Sequence, residues 1–486
     1  MSVPAPDLVV RGFGRLTRDS LEYATGSVAG KLIAFLMLPV MTRLLTPTQY
    51  GQADLLTTLG SAAISFLLFG LDVAATRLAV DPAPRFPAKQ IYGAWFAMSS
   101  IVIVLPSLAL VAFAKPIGEQ LFGPGFGPLP VSLVGAMTIA GTYQFMALAM
   151  LRADRRPRPY ALVTGGTLAL NAILTIGLLT LWRQDASAVL LAISVSLAAW
   201  AGIGFALLGR SRVGRPSTAS MKALVTLGLP LAPAVALTWV GEFANRLILL
   251  AESNAAEVAY LGIGIRIASI AGLVVIGFQL GWMPHAYALG ATEAGIRRTS
   301  QDARRILILA STGVAVFAVF CPGLLALLGG SAYLNALPAV GMSLLAVLGS
   351  ALYLVTSMPS ALLHRTGVLG ASMAGGVLAT IAANLLLAST FGGAGTALAL
   401  ALGQLAAAAT AARLAPTSGR LSIPWRNVLV VIAFACACVC VSTLPTLNLT
   451  EPARIIVLAA FVASAFMEGT LKDLVSIGRD WLRSLI

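Results

Sequence analysis

Apolar residues run through this chain in long unbroken blocks, not in the alternation of a half-buried strand or the one-sided stripe of a surface helix. A helix that crosses a bilayer needs about 17–25 such residues. Fourteen blocks of that length are read, at 22–45, 52–76, 91–114, 128–151, 160–182, 187–209, 222–251, 257–283, 305–330, 336–363, 367–390, 393–413, 427–447 and 453–471. Those at 91–114, 128–151, 160–182 and 187–209 contain no charged residue. Barrel strands need only about ten alternating residues, and these runs are continuous. The pattern predicts an all-α integral membrane protein with about fourteen transmembrane helices.

The flanks differ in kind. In the polar, basic segment 1–21, Arg11, Arg15 and Arg18 would share a helical face opposite Leu8, Phe13 and Leu16. That is the pattern of a short amphipathic helix lying on the membrane. It has no apolar core and no small-residue cleavage site, so the first span is expected to serve as the insertion signal. The tail 472–486 has the same amphipathic character.

Composition agrees: the chain is 58% hydrophobic and 10% charged, with mean hydropathy +0.91, where soluble domains carry about 25% charge. The net charge of +14 would raise nucleic acid as a partner of a soluble protein. Sorted by loop, however, 25 of the 32 basic residues fall on one side of the expected spans and four on the other. Such asymmetry reports orientation: both termini are expected in the cytoplasm, and nucleic acid is dismissed as a partner.

The chain also repeats itself. TRLLTPTQYGQADLL at 42–56 has a counterpart in NRLILLAESNAAEVAYLG at 245–262, each with a short loop followed by a helix opening on Tyr and Gly. Pro116 and Gly123 lie 206 residues before Pro322 and Gly329, and Arg152 and Asn171 lie 213 before Arg365 and Asn384. Six helices per copy is an even number, so both copies enter from the same side. Two same-way-up bundles about a central cavity make an alternating-access layout. The expected organisation is an N-lobe at 22–209, a cytoplasmic linker at 210–221, a C-lobe at 222–413 and an added helix pair at 427–471.

Enzymatic chemistry finds no place. The two histidines, His285 and His364, both sit at expected cytoplasmic helix ends, and no zinc-ligand spacing or nucleotide-binding loop is present. The glycines and arginine of 262–266 follow no strand, so they are no dinucleotide fingerprint. Cys321, Cys436, Cys438 and Cys440 all fall within spans. In the run CACVC the middle thiol points to the opposite side of a helix, which suggests packing residues and no disulfide. No metal or cofactor is expected.

Charges at bilayer depth cost about 2.5–3.5 kcal/mol each on insertion scales, so they usually face a wet interior. Arg266 lies about nine residues inside the outer end of the eighth span, just after Gly262 and Gly264, which could let a bulky ligand approach. Lys31 lies about nine residues above the cytoplasmic end of the first span, too deep for its stem to reach water easily. Arg246, near an outer helix end, follows Glu242 at the i, i+4 spacing of an ion pair. Asp54 and Asp72, at the two ends of the second span, are candidates to carry a coupling ion or to join an ion pair. Tyr143, Gln144, Asn171, Asn384 and Gln404 are polar positions within spans, suited to capping kinks or to hydrogen-bonding a sugar.

The segments KLIAFLMLPVMTRLLTPTQYGQADLL (31–56), LGLPLAPAVALTWVGEFANRLILL (227–250), VAYLGIGIRIASI with GWMPHAYA (258–288), LLGGSAYLNALPAV (327–340) and AANLLLASTFGGAGTALAL (382–400) carry a resemblance. The chain resembles the polysaccharide transporter family, the Wzx-type lipid-linked oligosaccharide and O-antigen flippases, within the superfamily that includes the MATE exporters. The resemblance implies a MATE-like fold of two six-helix lobes and a cationic central cavity faced by Arg266, Lys31 and Arg246. It departs at Asn245, where the family often has Asp.

The implied substrate is an undecaprenyl-pyrophosphate-linked oligosaccharide, moved across a bacterial inner membrane for O-antigen, capsule or exopolysaccharide synthesis. The implied partners are membrane lipids, a polysaccharide polymerase and a chain-length regulator. Arginine grips phosphoryl oxygens in forks, and a potential negative inside favours outward movement of an anion by about 2.3 kcal/mol per charge per 100 mV. The alternative is a MATE-like exporter of small cations, which should favour carboxylates in its cavity. A glycan polymerase or ligase would need a larger outer loop than the longest here, about 115–127.

Overall fold

The computed structural model describes residues 33, 35–68, 70–80, 85–209, 212–229, 232–416 and 420–443, with side chains described in these except at 232–240, 280, 281 and 284. Every element among them is helical: α1 (Leu38–Leu44), α2 (Pro47–Leu67), α3 (Leu71–Ala79), α4 (Ala88–Ala112), α5 (Ala114–Phe122), α6 (Pro128–Ala153), α7 (Pro157–Leu181) and α8 (Ala186–Leu208). There follow α9 (Thr218–Gly228), α10 (Ala232–Glu252), α11 (Ala255–Leu289), α12 (Glu293–Gly329), a 3-10 turn (Ser331–Ala336), α13 (Leu337–Leu362), α14 (Thr366–Leu414) and α15 (Trp425–Thr443).

Nine of the described helices are long and apolar enough to cross a membrane, and α2 with α3, bent by 49°, makes a tenth if taken as one span. The protein is thus a multi-pass membrane protein. Half of the expected first span, and the whole of the fourteenth, lie outside the described residues, as do Lys31 and the two amphipathic flanks. The expected span 222–251 falls on parts of α9 and α10, with residues 230 and 231 between them outside the described residues. Conversely, α14 runs for 49 residues and contains two expected spans, broken at Gly392 (φ 55°, ψ −134°).

Helix starts follow local chemistry. Asp185 caps α8 by accepting from the Ser187 N–H, and Ser217 and Ser220 form a capping box on α9. Asn254 and Thr292 cap α11 and α12, each satisfying a backbone donor that the helix cannot. Prolines open α2, α6 and α7, where a missing N–H costs nothing.

Contacts divide the described chain into two compact units: the residues up to Leu45 with Gln52–Phe243, and Thr46–Gly51 with Ala244 onward. The core of the first unit packs Ala74 and Ala75 of α3, Ile91 and Trp95 of α4, Met146 and Met150 of α6 and Leu224 of α9. The segment after α8 is held to this unit by the Gly214 N–H on the Lys89 carbonyl (2.8 Å) and by an Arg212–Asp154 ion pair (3.3 Å). Ile101, Leu105 and Leu181 stand 66–89% exposed. Such side chains burden a soluble surface but suit hydrocarbon.

Each unit contains the same three-residue helix junction. Asp154, Arg155 and Arg156 join α6 to α7, and Leu363, His364 and Arg365 join α13 to α14. In both, the middle residue is left-handed (Arg155 φ 53°, His364 φ 56°). The last N–H reaches back five residues, from Arg156 to Leu151 O (2.9 Å) and from Arg365 to Ser360 O (2.8 Å). This is the Schellman pattern that closes helix ends. It aligns Arg365 with Arg156, four residues from the sequence pairing with Arg152.

Candidate functional site: a tyrosine cluster beneath Arg266

The site is assembled from three helix starts of the second unit. Thr46 precedes α2 and shares hydrogen bonds with Gln49: the Thr46 N–H donates to Gln49 Oε1 (2.9 Å) and the Gln49 N–H to Thr46 Oγ1 (3.4 Å). This reciprocal cap fixes the first turn that carries Tyr50. The next residue, Gly51, lies so close to the Ala255 carbonyl of α11 that a Cβ would collide with it. A glycine there lets the two helix starts touch. Asn254 Oδ1 accepts from the Glu257 N–H (3.1 Å), opening α11 a few residues before Tyr260. Beyond Gly330 (φ 66°) the 3-10 turn delivers Tyr333.

The three rings converge. Tyr50 and Tyr333 meet edge to face at 6.0 Å between centroids, and Tyr260 meets Tyr333 at 6.5 Å. All three are buried. Two turns into α11 from Tyr260, the half-buried Arg266 places its guanidinium carbon 5.0 Å from the centre of the Tyr50 ring. Such a contact contributes about 2 kcal/mol when desolvated. The ring attracts the cation without adding a formal negative charge. The Tyr50 hydroxyl is buried with no hydrogen-bond partner, a state that costs about 1–3 kcal/mol.

Gly264 does not open the helix to a ligand, as its position beside Arg266 suggested. A Cβ there would come within 2.8 Å of the Ala339 carbonyl and 3.1 Å of Ser343 Oγ on α13. The glycine is occupied by close helix packing, which in membranes substitutes for a hydrophobic driving force.

The remaining predicted residues are distributed as follows. Arg246, on α10, belongs to the second unit with Arg266 and is half-buried; Glu242, Asp54 and Asp72 belong to the first. Glu242 is exposed on α10, Asp54 is buried on α2, and Asp72 is half-buried in the first turn of α3. The family's acidic position, Asn245, is buried and structural: Asn384 Nδ2 donates to its carbonyl (2.9 Å), while Thr396 Oγ1 donates to Asn384 Oδ1 (2.7 Å). This network ties α10 to both halves of α14. In the first unit Gln144 donates to Thr167 Oγ1, Tyr143 shares a hydrogen bond with Ser100 (2.8 Å), and Asn171 accepts from Thr175 (3.3 Å). A groove of about 610 Å³ between α4, α6 and α8 is lined by Phe96, Tyr143, Phe205, Ser194 and small or aliphatic residues, with no charge.

Sequence reading missed the aromatic partners of Arg266. The signal was present, since the repeat comparison singled out helices opening on Tyr and Gly at Tyr50–Gly51 and Tyr260. Those two tyrosines flank Tyr333 in space. Among the described residues, no three His, Cys, Asp or Glu side chains gather as a metal would require.

Known proteins place this geometry in context. The fold is similar to that of the lipid II flippase MurJ in an inward closed conformation, with a TM-score of 0.71 at 10% identity, covering 94% of this chain and 100% of that one. It is similar also to an inward-facing multidrug resistance MATE transporter of the MOP superfamily (TM-score 0.61, 13% identity, 82% and 95% covered). A Vibrio cholerae MATE transporter, VcmN, in a mutant form, gives 0.55 at 16% identity, with 82% and 95% covered. No curated protein matches the chain in sequence. The family described as polysaccharide biosynthesis protein matches residues 16–284, more than half of the sequence; the chain belongs to that family and carries it on the fold of the MurJ and MATE transporters.

Proposed function

We propose that the protein is a flippase that moves undecaprenyl-pyrophosphate-linked oligosaccharide from the cytoplasmic to the outer face of a bacterial inner membrane by alternating access. Both termini are cytoplasmic, and no covalent chemistry is performed on the substrate. The observation that carries the reading is Arg266, a cation within membrane-length α11, held over the Tyr50 ring. A transporter of organic cations gains nothing from an arginine at that depth, whereas a pyrophosphate or acidic sugar is bound by it. Family membership and the fold of the lipid II flippase support a lipid-linked substrate. In this reading Arg266, Lys31 and Arg246 line the anion path, and Glu242, Asp54 and Asp72 are left for ion coupling or for holding the cations. A polymerase and a chain-length regulator would act on the delivered product.

The test uses proteoliposomes containing the full chain and a fluorescent polyprenyl-pyrophosphate oligosaccharide, with outer-leaflet label destroyed by a membrane-impermeant reductant. Translocation that Arg266→Ala abolishes is expected. Failure to move this lipid, together with uptake of an organic cation such as ethidium, would establish the MATE-like alternative.

A further inference from the structure

The second unit contains a pocket distinct from the Arg266 cluster. It lies where α13, the end of α14 and the start of α15 meet, and encloses about 350 Å³. Arg413, Arg420 and Trp425 form its polar border, and Val355, Leu421 and Ile423 belong to its apolar wall. Arg413 sits in the last turn of α14, where a cation complements the helix dipole. The segment leading to α15 is pinned by the Ser422 N–H on Ser300 Oγ (3.0 Å) of α12, so the pocket has a fixed rim.

Its charge is uncompensated on these elements. The sequence has no Asp or Glu between Asp302 and Glu451. Asp302 is engaged by Arg305 at 3.5 Å. Among the described residues Arg413 and Arg420 make no ion pair, and both are exposed, as are the nearby Arg365 and Arg426. The pocket therefore combines two guanidiniums that pair with no described carboxylate, an indole of the kind that settles at bilayer interfaces, and a hydrocarbon-compatible wall.

We propose that this pocket binds the headgroup of an anionic phospholipid from the surrounding bilayer. The two arginines hold the phosphodiester oxygens, Trp425 lies at the glycerol level, and the apolar wall receives the first methylenes of an acyl chain. Basic pockets between transmembrane helices recognise acidic lipids in this way. A free phosphate would use the arginines but leave the apolar wall without a partner.

The experiment is a thermal-unfolding titration of the full chain in detergent with phosphatidylglycerol, phosphatidylcholine or inorganic phosphate. Phosphatidylglycerol is expected to raise the midpoint and the other two to leave it in place. In Arg413→Gln/Arg420→Gln the apparent affinity should fall about 30-fold, equivalent to about 1 kcal/mol per arginine. Arg413→Lys/Arg420→Lys should retain most of the effect, and Arg297→Gln/Arg298→Gln, an equal loss of charge on α12, should retain all of it. Equal stabilisation by phosphatidylcholine, stabilisation by phosphate alone, or an unchanged response in the glutamine pair would overturn the proposal. Should that pair fail to fold, a diazirine-bearing phosphatidylglycerol on the unmodified chain decides. Crosslinks within 355–359, 412–416 or 420–425 support the site, and their absence there refutes it. Neither readout involves transport, so the result stands apart from the flippase reading.

Discussion

Arg266 holds its guanidinium carbon 5.0 Å from the centre of the Tyr50 ring, joining two segments more than 200 residues apart in sequence. Both partners can be varied separately. Arg266→Ala should abolish export while leaving the protein inserted at normal levels. Arg266→Lys should rescue in part, since a point charge replaces a fork, and Arg266→Glu should be worse than Ala. Hydrogen bonds to a charged group are worth about 1.5–3 kcal/mol each, so losing even one costs about tenfold to a hundredfold in rate, and losing the whole fork leaves no measurable export. Normal export by Arg266→Ala, or failure only through lost protein, would reduce the arginine to a structural role.

Tyr50→Phe keeps the ring and removes a buried hydroxyl that has no partner. Thermal stability should rise by about 1 kcal/mol, and slower transport would show that the hydroxyl meets a partner during the cycle. Tyr50→Leu should lose stability as well as transport. Unchanged transport by the Phe variant would confine Tyr50 to its ring contact.

The Asn245–Asn384–Thr396 network offers a stability test free of transport. Asn384→Ala leaves the buried Thr396 hydroxyl only the longer contact to the Gly392 carbonyl (3.5 Å) in place of its 2.7 Å acceptor, at a cost of about 1 kcal/mol. In a double-mutant cycle Asn384→Ala and Thr396→Val should be strongly non-additive. Additive losses would show that the hydrogen bond contributes little.

Gly264→Val should lower the unfolding midpoint sharply, because the added carbons meet the Ala339 carbonyl. If Gly264 instead served ligand approach, the variant would keep wild-type stability and lose only transport.

Orientation can be read with single cysteines and an impermeant thiol reagent. Ser187 and Ser300, close to the ends of expected spans, are buried, which makes them poor probes. Gln184, Ala332 and Ala294 are exposed. Cysteines at Gln184 and Ala332 should label from the outer side and one at Ala294 should not; the reverse pattern would invert the assigned topology.

What was legible in the sequence was whatever a single helix determines by itself. Long apolar runs, helix caps such as Ser217 and Asn254, and the depth of Arg266 all follow from neighbours along the chain. What stayed hidden depended on partners far away in sequence. Asn384 finds Asn245 139 residues away, so its choice between a sugar and a neighbouring helix could not be read from its own span. Gly264 looked like an opening because nothing local reveals that Ala339 fills it. Tyr50 entered only as part of the repeat, because nothing along its own helix announces Tyr333 and Arg266 beside it.

The break in α14 has a consequence for how this part of the chain tolerates change. One glycine in a backbone state that other residues rarely adopt separates its two halves, and the Glu257 carboxylate accepts the Gly393 N–H at 2.7 Å across the gap. A hairpin of ordinary design carries spare residues at its tip, and insertions, tags or protease cuts are absorbed there. Here the junction has no spare length. Adding or removing even one residue at 392 rotates the whole second half about its own axis, carrying Thr396 away from Asn384. The spacing from Asn384 to Thr396 is as much a part of the fold as the residues themselves.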